Sequence, residues 1–330
     1  MHKTDAQAAD RAAAVRFVGA ELNRPECVLC TRAGHWYSAD WRGGVAHGWP
    51  DGHQTLYRAP ERDGRAMRPN GIALLAGGDF LLADLGETLG GIFRLSRQGE
   101  LSTVVDRIDG RDLPPTNFVT TDRDARIWFT VSTTRVPRAL GYRADCDDGF
   151  IAVHDAHGTR IVADGLGYTN ECAFDANGRW LYVNETFGRR LSRFPVREGG
   201  ALGARETVTE FGQGMFPDGL AVDARGDLWV TSIVSNRLVH VRAADGAQTV
   251  WLEDADEAHL EQVERAYLAG EMGRPHLDDI RARVLRNISS LAFGGPDLRL
   301  GHLGCLLGTR IGTIEMPVAG LAPVHWHVDD

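Results

Sequence analysis

An all-β fold, a six-bladed β-propeller, is the class this sequence predicts, and three observations predict it. First, one pattern recurs: a cluster of Pro, Asn or Asp, an apolar strand, a D-x-x-G-like turn, then a second strand carrying Trp, Phe or Tyr. Second, the polar residues opening the copies, Glu26, Asn70, Asn117, Asn170, Asp218 and Ser290, are separated by 44, 47, 53, 48 and 72 residues. The first four intervals fit a blade of about 40–50 residues. Third, further strand-like runs follow each copy with turns rich in Gly, Asp and Asn and no helices between, which argues against a parallel α/β sheet. Four-stranded units repeated around an axis make a propeller.

The elements follow in order. The run VRFVGAEL has no partner in the first unit, so it is expected to complete the last blade as its outer strand and close the ring. Blade one opens on ECVLCTRAGHWYSADW. Blade two runs from RPNGIALLAGGDFLLADLG through GGIFRLS and LSTVVD. Blade three runs from PPTNFVTTDRDARIWFTVS through GFIAVHD and TRIVAD. Blade four opens on GYTNECAFDANGRWLYVNET, blade five on MFPDGLAVDARGDLWVTSI, and a weaker copy, blade six, opens near Asn287. The long last interval holds an insertion, 254–286, of helical composition. Leu260, Val263, Tyr267 and Leu268 share one face, Asp254 or Asp256 caps it, and Gly270 to Pro275 breaks it. A second helix is expected near His276–Leu285. The insertion falls between blades five and six and reads as a surface hairpin, a lid or a dimer contact. Residues 1–330 read as a single propeller domain.

Composition narrows the function. A chain of 330 residues buries enough surface to fold without disulfides or metal. A net charge of −9 with no Lys/Arg run weighs against nucleic-acid or anionic-membrane partners. No run of about 20 apolar residues is present, so no membrane span is expected. The start, MHKTDAQAADRAAAVRF, lacks an apolar signal core, and the expected location is cytoplasmic. The five cysteines form no disulfide framework, and Cys27 and Cys30 would face opposite sides of a strand. A small-molecule substrate is the expected partner, and a homo-oligomer stays open.

In a propeller the innermost strands line the central channel, so equivalent repeat positions converge on the axis. Glu26, Asn117, Asn170 and Asp218 hold that position. Two carboxylates and two amide oxygens make a hard cage suited to Ca²⁺, Mg²⁺ or Mn²⁺ and tolerant of Zn²⁺ or Fe²⁺. Without a cation the carboxylates would repel, pushing one toward protonation. Taken singly, each of these residues also reads as a turn cap. Asn70 is either a site contact or a turn former. His325-Trp326-His327 alternates like a strand.

The blade openings ECVLC, PTNF, YTNECAFDANGRWLYVNET, FPDGLAVDARGDLWVT and SSLAFGGPDL resemble the senescence marker protein/gluconolactonase/luciferin-regenerating enzyme family, regucalcin-like members included, from about Arg24 to Trp326. The resemblance implies a six-bladed propeller with one divalent ion in the channel: calcium, or zinc, magnesium, manganese or iron. It implies Glu26, Asn170 and Asp218 as ligands, Asn117 as a further ligand or substrate contact, and Asp218 in acid–base catalysis as well. The chain departs from the family where Pro115 replaces an Arg common in sugar lactonases, and where Glu171 replaces a Gly. Phe118 and Tyr168, with Asn70, are further substrate-contact candidates. The two aromatic rings read either as a less polar substrate pocket or as blade packing. The implied activity is a metal-dependent lactonase or related ester hydrolase, with water attacking a polarised carbonyl. A phosphotriesterase-like or other propeller reaction is the alternative, as is a non-catalytic binding propeller with a structural calcium.

Overall fold

Three of the repeats turn on an aspartate. In the computed structural model, which describes residues 6–62 and 64–329, Asp175 Oδ1 accepts the amides of Arg179 and Trp180 at 2.7 and 3.0 Å. Asp122 and Asp223 close their turns in the same way. The turn needs a left-handed residue three places on, supplied by Gly178 (φ +67°) and Gly226 (φ +88°), and in blade three by Ala125 at φ +59°. The same carboxylate fixes the next strand: Trp128 Nε1 donates to Asp122 at 2.7 Å, and Trp229 Nε1 to Asp223 at 3.1 Å.

These turns link strands into six four-stranded antiparallel sheets. The inner strands are Val28–Cys30, Pro69–Leu74, Phe118–Thr121, Thr169–Phe174, Pro217–Val222 and Ile288–Gly294. Blade six takes its outer strand from the other end of the chain, as expected: Arg16–Val18 pairs with Ile311–Glu315, Phe17 opposite Gly312. Helix α1 (Ala6–Ala13) secures that strand, with Arg11 donating to Trp251 O at 2.7 Å and Ala12 and Val15 packed between blades five and six. Six apolar clusters fill the six blade junctions. Both faces of every blade are therefore buried, which is why the second strands are apolar throughout.

Between blades five and six lie α2 (Glu257–Leu268) and α3 (Arg274–Asp278). Asp256 caps α2, accepting His259 N at 2.8 Å. Asp254 instead accepts the amides of Val284 and Leu285 at 2.6 and 2.8 Å. That contact holds 284–285 out of a helix, so α3 is shorter and earlier than expected. Leu260, Val263 and Tyr267 are buried, but Leu268 is 74% exposed. Glu264 takes the inner place instead, because it meets Arg189 at 2.6 Å. The helices pack on Tyr142, Tyr168, Phe187 and Phe216, at the end where the inner strands begin. His325-Trp326-His327 forms a turn, not a strand, with Trp326 wedged between blades six and one. Cys27 and Cys30 do face different junctions, and all five cysteines are free and buried. Among the described residues, no helix is long and apolar enough to cross a membrane.

Candidate functional site

Four inner strands carry a bulge at the same place. The pairing skips between Pro69 and Ile72, Thr169 and Cys172, Pro217 and Leu220, and Ile288 and Ser290. A bulge re-aims a side chain out of the strand alternation. Here the residues inside the bulges reach other blades. Glycine is required beside two of them: a Cβ on Gly71 would lie 2.6 Å from Phe118 Cα, and one on Gly219 2.4 Å from Ser289 O. Glu171 stands at the equivalent place in blade four, and its carboxylate accepts Leu220 N at 2.9 Å. That contact accounts for the missing Gly.

The expected ring residues come together. Asn70 Nδ2 donates to Glu26 Oε1 at 2.7 Å and to Asn117 Oδ1 at 2.8 Å. Asn117 Nδ2 donates to Asn170 Oδ1 at 2.7 Å, and Asn170 Nδ2 to Thr186 Oγ1 at 3.0 Å. Side chains from blades one to four thus form one hydrogen-bonded chain. Asp218, from blade five, is buried beside it. Its carboxyl is pushed well above the usual carboxylate range, first by burial and then by the charge of Glu26; Arg24, Arg138 and the Asn170 amide oppose the shift. In blade six the register lies one residue earlier than expected. Ser289-Ser290-Leu291 matches Asp218-Gly219-Leu220, so Ser289 holds the ring position, and its Oγ donates to Glu26 O at 3.1 Å.

Phe118 and Tyr168 stand apart from the ring. Phe118 lines a cavity of about 390 Å³ in the opposite half of the channel, with Cys27, Glu171, Leu220 and Phe293. Tyr168 is 3% exposed and packs edge-on against Tyr142 and Phe187. Its Oη accepts Arg138 Nε at 2.9 Å.

Two arginines escaped the sequence reading. Arg24 binds Glu26 Oε2 through Nε at 2.9 Å and Nη2 at 2.8 Å. It adopts φ +54°, as Tyr168 adopts φ +68°, each two residues before a ring residue. Non-glycine residues persist there only when their surroundings hold them. Arg138 reaches Asn117 Oδ1 at 3.5 Å from 21 positions downstream. Its place two before Glu26 was the available signal for Arg24. For Arg138 no spacing pointed to the ring.

The donor set fits a divalent cation. Glu26, Asp218, Asn117 and Asn170 offer only hard oxygens. The burial of two carboxylates in one another's field is a cost that a cation offsets. Asn70 Oδ1 is buried with no partner. A second donor group, Asp223, Asp227 and His240, lies at the turn of blade five. Its carboxylates already accept Arg225 N, Asp227 N, Trp229 Nε1 and Ala243 N, so it is a turn-forming group.

A propeller with oxygen-donor side chains meeting across four blades is a channel-site propeller by architecture. The chain belongs to the SMP-30/Gluconolactonase/LRE-like family, whose model matches residues 8–253. It is 28% identical over 155 residues to a 6-deoxy-6-sulfogluconolactonase of Pseudomonas putida, a match covering 46% of this chain and 50% of that one. The chain therefore spans about half the length of that relative. A gluconolactonase of Xanthomonas campestris superposes with a TM-score of 0.66 at 20% identity, covering 95% of this chain and 94% of that one. A calcium-binding regucalcin of Agrobacterium tumefaciens superposes at 0.65 with 15% identity, covering 92% and 96%. At these identities the superpositions establish the shared fold.

Proposed function

We propose that the protein is a metal-dependent hydrolase that opens a small lactone ring. The observation that carries this reading is the chain Glu26–Asn70–Asn117–Asn170 across four blades, with Asp218 beside it. Glu26, Asn170 and Asp218 would hold the ion, with Asn117 as a further oxygen or a substrate contact. Calcium is the first choice, with zinc, magnesium, manganese or iron as alternatives. A divalent ion bound there supplies carbonyl polarisation and a more acidic water. Asp218 takes the proton of the attacking water and returns it to the ring oxygen as the ring C–O bond breaks. One water is consumed and a hydroxy acid leaves. Asn70, whose Oδ1 lacks a partner, accepts a substrate hydroxyl. Tyr168 acts by orienting Arg138. Family membership and the lactonase activity named for the Pseudomonas putida relative support lactone chemistry. The calcium named for the Agrobacterium tumefaciens regucalcin supports the ion.

The test is chelation until elemental analysis finds no bound metal, followed by acid-release assays on a panel of sugar and aromatic-pathway lactones. Turnover should vanish and return with one ion. Unchanged turnover in metal-free protein rejects the reading.

A further inference from the structure

We propose that this site takes a lactone carrying a negatively charged substituent (carboxylate, sulfonate or phosphate) and that Arg138 receives that charge. The word lactone rests on the reading above. The charge rests on the surroundings of Arg138.

Arg138 opens a one-turn helix, Arg138–Gly141, in the loop between the second and third strands of blade three. Nε donates to Tyr168 Oη at 2.9 Å, and Nη2 lies 3.4 Å from Ser132 Oγ and 3.5 Å from Asn117 Oδ1. All three partners are neutral. No carboxylate of the described residues lies within ion-pair distance, and Nη1 has no hydrogen-bond partner among them. Four other guanidiniums at this end of the propeller are matched to a glutamate: Arg24 to Glu26, Arg189 to Glu264, Arg190 to Glu185 and Arg237 to Glu253. Arg138 is half-buried and feels the charges of Glu26 and Asp218 only from beyond ion-pair distance, so its open Nη edge can take a ligand's charge directly. The Tyr168 contact holds the Nε edge and leaves the Nη edge toward the ring, the arrangement a planar fork uses to grip an anion.

The test compares D-glucaro-1,4-lactone with D-glucono-1,4-lactone, which share a ring and differ by one carboxylate. The metal-loaded wild type should prefer the charged lactone by at least about 10-fold in kcat/KM, the size expected of one charge-assisted contact. That preference should shrink as salt is raised. Arg138→Gln should lower kcat/KM on the charged lactone at least about 10 times more than on the neutral one, and Arg138→Lys should recover part of the loss. Calorimetry with glucarate and gluconate gives a readout that needs no turnover. Equal use of both lactones, or equal losses in Arg138→Gln, overturns the inference and leaves the lactonase reading intact. Arg138-dependent glucarate binding without hydrolysis of either lactone upholds the anion site and removes the lactonase reading. Absence of both binding and hydrolysis removes both.

Discussion

Arg24 and Glu26 form a buried ion pair two residues apart, with Nε and Nη2 of the arginine at 2.9 and 2.8 Å from the same carboxylate oxygen, Oε2. The other oxygen, Oε1, faces Asn70 and the ring. One oxygen anchors the side chain and the other serves the site.

Arg24→Gln should therefore destabilise the ion-free protein by about 3 kcal/mol, the usual penalty for stranding a buried charge. Urea unfolding at pH 7.5 measures it. Adding a divalent ion should recover part of the loss, since the ion takes over the role of counter-charge. Equal losses with and without ion would mean that Glu26 does not bind it.

Asp218→Asn should lower kcat by at least about 100-fold, within the range general acid–base catalysis contributes. The ion-free variant should be at least as stable as wild type, because a carboxylate raised by burial and by Glu26 has gone. The gain in stability on adding ion should shrink in parallel with the weakened affinity. Thermal melts with and without ion, beside steady-state rates, check both. An undiminished gain would remove Asp218 from the ligand set.

Deleting residues 1–18 should lower the melting temperature by roughly 5–10 °C, at about 2–4 °C per kcal/mol for a domain this large. The deletion strips the outer strand of blade six and the contacts of Ala12, Val15 and Arg11 with blades five and six. Calorimetry would show it. An unchanged melt would mean that the ring closes without that strand.

Acidification should destabilise the fold through His302. Burial lowers its pKa from 6.5 to about 4, with the Leu300 carbonyl opposing weakly. Above pH 6.5 both folded and unfolded forms are neutral, and the residue contributes nothing. Between pH 6.5 and 4 the unfolded chain binds a proton that the folded chain refuses, so stability falls as pH falls. The loss is on the order of 3 kcal/mol at pH 4. Urea titrations at pH 7.5 and 4.5 should show a smaller drop for His302→Gln than for wild type.

The sequence carried the architecture because its signals are local. A turn aspartate, a left-handed residue and an alternating strand are written within a dozen positions, and Asp122, Asp175 and Asp223 perform that role in the fold. Four of the ring side chains were legible for a related reason, since equivalent repeat positions must converge. What stayed hidden depends on contacts between distant segments. In blade six the pairing of Ile288 with Cys305 and of Ser290 with Gly304 leaves Ser289, not Ser290, at the ring position. Glu264 displaced Leu268 because Arg189 lies opposite, 75 positions away. Arg138 comes to Asn117 through a loop whose path no repeat dictates. Phe118, adjacent to a ring residue, falls in the other half of the channel because Asn117 reaches across blades while its neighbour enters the junction clusters.

The pairing of Arg16–Val18 with Ile311–Glu315 also sets an order of events during synthesis. Arg16–Val18 must wait, unpaired, until Ile311–Glu315 follows it out of the ribosome. Until then the growing protein is an arc with two sticky edges, exposed to wrong partners.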